Sequence, residues 1–214
     1  MPRCILLALA AAASFAAAAA QGENDRRLGA ELAVMAGDLR RLQSRPESAL
    51  QAEGLRARLA GALSSLPLLL RRAGACPRPS AGDCAGIPAL RAALARGDLS
   101  VLARDLEALR RKHLFEAGQI LAGAATPERL RLGAVLHRQV CAGCHDAPAA
   151  DTALPARDLF EEARRLPREE FAARLLLGVR GDRGTSWRNP FSDLELGALL
   201  AYYENGGPAA ETRK

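Results

Sequence analysis

Leucine spacing limits the folds open to this chain more than any other feature. Leu28, Leu32, Met35 and Leu39 recur at helical intervals, and so do Leu50, Leu55, Leu59, Leu63 and Leu66. A period near 3.6 places these side chains on one face, so each stretch predicts a helix that needs an apolar partner. The run "IPALRAALARGDLSVLARDLEALRRKH" adds two more helical stretches hinged at Gly97-Asp98, and little in the chain reads as strand. The expectation is an all-α protein in which residues 21–125 form an antiparallel helical bundle with short turns. That length suffices for a small domain. No catalytic constellation is visible in this half.

Compartment follows from the N-terminus. Pro2 and Arg3 precede an apolar run from Cys4 to Ala20, broken only by Ser14 and ending Ala18-Ala19-Ala20 before a polar stretch. A basic start, an apolar core and a small-x-small site describe a secretory signal peptide, residues 1–20, cleaved near Ala20. The alternative, an uncleaved anchor, fits less well, because the run is alanine-dominated and a span asks for ~20 strongly apolar residues. The mature chain is expected in the periplasm without a transmembrane segment. Of five cysteines, Cys4 leaves with the signal. Cys76 and Cys84 bound the loop "CPRPSAGDC", whose prolines and glycine can turn the chain back to close a disulfide in an oxidising compartment.

Cys141 and Cys144 remain, in "VCAGCHD". A structural zinc site needs four ligands, and the only other histidines are His113 and His137. A redox dithiol of the thioredoxin type sits between a strand and a helix, whereas this pair follows a helix. The third reading uses every residue. Both thiols add across the vinyl groups of one porphyrin, and His145 binds its iron from the proximal side. The expected cofactor is therefore a single covalent haem c.

Helix signals frame the motif. Thr126 caps and Pro127 opens a helix that runs up to Cys141, while "SDLELGALLAYYENGG" begins with the capping box of Ser192 and Glu195 and stops at Asn205-Gly206. Gly133 stands eight residues before Cys141, His137 four before it, and Leu199 with Tyr202 lies in the last helix. On these residues the segment 126–207 resembles the class I cytochrome c fold. In that family a glycine at the first position lets the N-terminal and C-terminal helices cross closely, an aromatic commonly fills the second, and a Leu-x-x-aromatic pair completes the crossing. The resemblance implies a class I cytochrome c-like haem domain over residues 126–214, following the helical bundle. It also implies that the Pro155 carbonyl accepts from the His145 ring, with Pro148 competing for that role.

The chain departs from the family at the sixth iron ligand. The turn that usually presents a methionine reads "GDRGTSWRNPF", so the position falls on Trp187 or Arg188, neither of which can bind iron. Trp187 is expected to wall the haem pocket and Arg188 to pair with a propionate. The sixth position is then open or water-bound, or it is reached by His113 or by Met35. His137 is expected at the helix crossing instead.

Charge is uneven: residues 21–125 carry sixteen Lys/Arg against eleven Asp/Glu, and residues 126–214 carry thirteen of each. The basic half suits an acidic redox partner or an anionic surface, or is simply a solvated face. No nucleic-acid recognition motif accompanies it. Two functions remain open: single-electron transfer between periplasmic redox proteins, and binding of nitric oxide, carbon monoxide or peroxide at an open iron.

Overall fold

The computed structural model describes residues 3–44, 48–148, 152–178 and 190–206, with side chains from residue 22 onward. Among the described residues every regular element is helical, as expected. The order is α1 (Arg3–Gln43), α2 (Ala49–Arg72), α3 (Ile87–Arg96), α4 (Leu99–Lys112), α5 (Pro127–Leu136), α6 (Ala142–His145), α7 (Leu159–Arg165), α8 (Arg168–Leu177) and α9 (Asp193–Asn205). No described helix is long and apolar enough to cross a membrane.

Local chemistry accounts for the helix ends. The Ser48 hydroxyl accepts from Gln51 N–H at α2, Asp98 from Val101 N–H at α4, and Thr126 from Arg129 N–H at α5. Each satisfies a donor that the first turn leaves unpaired. Gly97 stops α3 at φ 72°, a left-handed backbone that glycine adopts without a Cβ penalty. Ser192 and Glu195 form the expected capping box. Gly206 ends α9 in an extended conformation, not a left-handed one, with its N–H on the Tyr202 carbonyl. Pro67 lies inside α2 without ending it. The missing proline N–H orphans the Leu63 carbonyl one turn back, and the Arg91 guanidinium from α3 supplies donors at 3.1 and 3.3 Å.

Two apolar cores share α1. The first joins Leu28, Leu32, Met35 and Leu39 to Leu55, Leu59, Leu63, Leu66 and Leu70 of α2, Leu90 of α3, and Leu102, Leu106 and Leu109 of α4. The second joins Ala30, Ala33 and Val34 on the other side of α1 to Phe171 and Leu175 of α8 and Leu196, Leu199, Leu200 and Tyr203 of α9. Phe115, Ala117 and Ile120, in the segment after α4, also belong to this second core. Every residue from Leu28 to Leu39 is consequently buried, Glu31 and Asp38 included. The leucine spacing predicts only one apolar face. The rest of α1 is covered because α8 and the Leu114–Phe115 backbone close over its small residues, and Gly37 leaves room for the Glu170 carboxylate.

Ion pairs cross the same seam. Asp38, 3% exposed in its side chain, accepts from Arg58 of α2 at 2.5 and 2.7 Å and from Arg174 of α8 at 2.9 Å. Arg174 also pairs with Glu170, which in turn binds Arg40 of α1. Burial pushes the Asp38 carboxyl up, but the flanking Arg174 and Arg58 outweigh it and hold the group below the usual carboxylate range. Residues 21–125 are thus welded to the segment that follows them.

Candidate functional site

Cys76 and Cys84 stand at disulfide distance with Cα atoms 5.6 Å apart, as their loop leads one to expect. His113 caps α4 and meets Asp83 of this loop at 2.7 Å, beside Lys112 on the same carboxylate.

The remaining thiols lie where α5 meets α9. Gly133 makes that crossing close. A Cβ there would sit 2.3 Å from the Ala198 carbonyl oxygen and 2.6 Å from Tyr202 Cβ. Only hydrogen fits between the two backbones. After Leu136 the helix opens into a π turn, His137–Cys141, before the single turn of α6. A π turn adds a residue to the repeat and re-aims the side chains beyond it; such turns recur at functional sites. Here it turns His137 inward and brings Cys141, Cys144 and His145 to the end of the helix.

His137 is 4% exposed and surrounded by rings, with centroids of Phe160, Tyr202 and Tyr203 between 5.5 and 5.7 Å away. Its Nδ1 meets Tyr203 Oη at 3.0 Å and its Nε2 meets Asp146 Oδ1 at 3.2 Å. A carboxylate only accepts, so Nε2 carries a hydrogen, and the Tyr203 hydroxyl stands between Nδ1 and the Cys141 sulfur. Both nitrogens are engaged, which matches the expected place at the helix crossing. Cys141 is half-buried against Tyr203, and burial pushes its thiol up despite a hydrogen bond with the phenol. Burial likewise raises the Tyr203 phenol far above its usual value. Cys144 is exposed.

His145 is half-buried, and its Nδ1 donates to a backbone carbonyl at 2.5 Å. The acceptor is Arg157 O, not the Pro155 carbonyl expected from the family resemblance, and Pro148 is not the acceptor either. Packing explains the shift. Ala153 and Leu154 rest on α2, where a Cβ on Gly54 would meet them at 3.0 and 2.8 Å. The chain turns back to the histidine only beyond Pro155. There Asp158 caps α7 by accepting from Phe160 and Glu161 N–H, which fixes the peptide just before it. Because a carbonyl can only accept, the hydrogen of His145 resides on Nδ1 and the Nε2 lone pair is left for a ligand bond.

Two side chains expected to compete for a sixth iron position are committed elsewhere. Met35 is 1% exposed within the leucine core, and His113 is bound to Asp83. Trp187 and Arg188 lie outside the described residues. Among the described residues no group of three or more His, Cys, Asp or Glu is placed to hold a metal ion. The donor set at the motif is therefore two thiols and one imidazole nitrogen. Sequence reasoning missed Arg157, whose role is carried by its backbone, and Phe160, whose place in the ring cluster depends on the fold of α7.

Comparisons with family models, with curated proteins and with solved structures return no match.

Proposed function

We propose that the protein is an exported c-type cytochrome, carrying one haem covalently on Cys141 and Cys144 with His145 as proximal ligand. In this reading it passes single electrons between periplasmic redox partners. One observation carries the reading: the His145 ring donates through Nδ1 to the Arg157 carbonyl, and among the described residues Nε2 has no hydrogen-bond partner, one residue after Cys144. Covalent haem asks the chain for that set, two sulfurs and one oriented nitrogen. The close crossing at Gly133 and the ring cluster around Tyr203 support it as the frame on which such a motif sits. When bound, the haem would supply a one-electron Fe(II)/Fe(III) couple. The residues would retain it (the two thioethers) and orient the imidazole (Arg157). The basic helical half suits an acidic partner.

Binding of a small ligand at an open iron is the second reading, favoured by the burial of Met35 and the engagement of His113. The test of the first is acid-acetone extraction of protein made with the haem-attachment machinery. The haem should stay on the polypeptide, and replacing either Cys141 or Cys144 with Ser should leave it held through one thioether only. Extraction of all haem from the native protein refutes the reading. Carbon monoxide added to the reduced protein tests the second reading: an immediate shift of the Soret band admits it, and an unchanged band rules it out.

A further inference from the structure

The Arg157 carbonyl that meets His145 is itself held from α1. Glu162, 6% exposed on α7, binds the Arg41 guanidinium of α1 through Oε2 and faces Arg157 Nη1 through Oε1 at 3.9 Å. Arg157 immediately precedes the Asp158 cap of the same helix. One carboxylate thus joins three things: the helix shared by both cores, the start of α7, and the side chain of the residue whose carbonyl accepts from the histidine. Burial lowers the Arg41 guanidinium and neighbouring Arg174 and Arg157 oppose its charge, while Glu162 beside it works the other way.

We infer that Arg41 and Glu162 are positioning residues for His145, so that the N-terminal helical half sets the orientation and tautomer of the imidazole. For the iron, this rests on the proposed haem reading. Glu162 touches no ligand; it acts through the Arg157 peptide. A carbonyl held in line strengthens donation from Nδ1–H and makes Nε2 a better donor. When the peptide drifts, the ring loses its acceptor, turns more freely and gives up the Nδ1–H form. Free neutral imidazole in water favours hydrogen on Nε2, so the Nδ1–H tautomer is a direct report of the held carbonyl.

The full chain labelled with 15N in histidine, made with and without the haem-attachment machinery, tests this. In the haem-free chain, at a pH where the ring is neutral, His145 should be mainly Nδ1–H. Glu162→Gln should move it toward Nε2–H, and Arg41→Lys, which keeps the charge, should preserve it. Arg157→Ala, at a side chain 26% exposed, reads the same link if the buried Glu162 variant does not fold. In the haem-loaded protein Glu162→Gln should raise the reduction potential, because the imidazole donates less to iron, and Arg41→Lys should leave it at the native value. An unchanged tautomer in folded Glu162→Gln or Arg157→Ala protein overturns the inference, as does an unchanged potential where haem is attached. If the native protein attaches no haem, the proposed function fails, while the tautomer arm still decides whether Glu162 positions the histidine.

Discussion

Replacing Asp38 with Asn should cost this protein more than any change to its surface. The substitution keeps the volume but removes the charge on which two arginines converge, at 2.5 and 2.7 Å for Arg58 and 2.9 Å for Arg174. Removing one partner of a buried ion pair typically costs about 3–5 kcal/mol, because the other charge stays desolvated. Arg174 keeps Glu170, and the Arg58 side chain is 17% exposed, so water relieves part of the loss. The lower end, about 3 kcal/mol, is expected, which for a chain of this size lowers the melting temperature by roughly 6–12 °C. Urea unfolding followed by far-ultraviolet dichroism measures it. A double-mutant cycle with Arg174→Gln should return a coupling of about 1–3 kcal/mol. Dichroism and tyrosine fluorescence should report one transition, since α1 belongs to both cores. A loss under about 1 kcal/mol, or single mutants that simply add, would refute the idea that this cluster binds the halves together.

Other outcomes rest on the same geometry. Gly133→Ala gains about 1 kcal/mol of helix propensity but forces a methyl into the Ala198 backbone, so it should destabilise by about 1–2 kcal/mol net; equal stability in thermal melts would show that the crossing yields. Opening the loop with Cys76→Ser/Cys84→Ser should lower stability by about 2–3 kcal/mol, and non-reducing mass spectrometry of the native peptide should show two hydrogens missing. Asp38 titrates below its unfolded value of about 3.9, so its stabilisation is complete above that pH and disappears as pH falls through the folded value. The acid limb of stability below about pH 4 should therefore be shallower in Asp38→Asn, and an identical limb would contradict the assignment. If haem is attached as proposed, the charge-transfer band of iron–methionine sulfur bonding should be absent from the oxidised spectrum, and Met35→Leu should leave that spectrum unchanged.

The helix crossing was legible through the family resemblance, which asks for a residue without a side chain at 133 and a ring at 202. The caps at Thr126 and Ser192 were legible from neighbouring residues alone. The burial of α1 on all sides was not, because its second face is made of Ala30, Ala33 and Val34, too small to announce a core. Asp38 reads as a solvent-facing residue until Arg174, far along the chain, is folded onto it. The histidine's acceptor was misplaced by two residues for a related reason. Proline is visible in a sequence, whereas the anchoring of Ala153 and Leu154 on Gly54 is a tertiary fact.

The shared helix also sets an order of assembly. Leu28–Leu39 leave the ribosome, or a translocation pore, well before Phe171, yet this later residue and its helix complete the cover over α1. The leucine side of α1 can zip onto α2 and α4 as they emerge, while its alanine side waits with Asp38 lacking Arg174. During that interval the Cys-x-x-Cys-His stretch is already present on a chain whose last helix has not yet docked across Gly133. The interval in which Cys141 stays open to solvent, before Tyr203 closes against it, is therefore written into the order of the polypeptide itself.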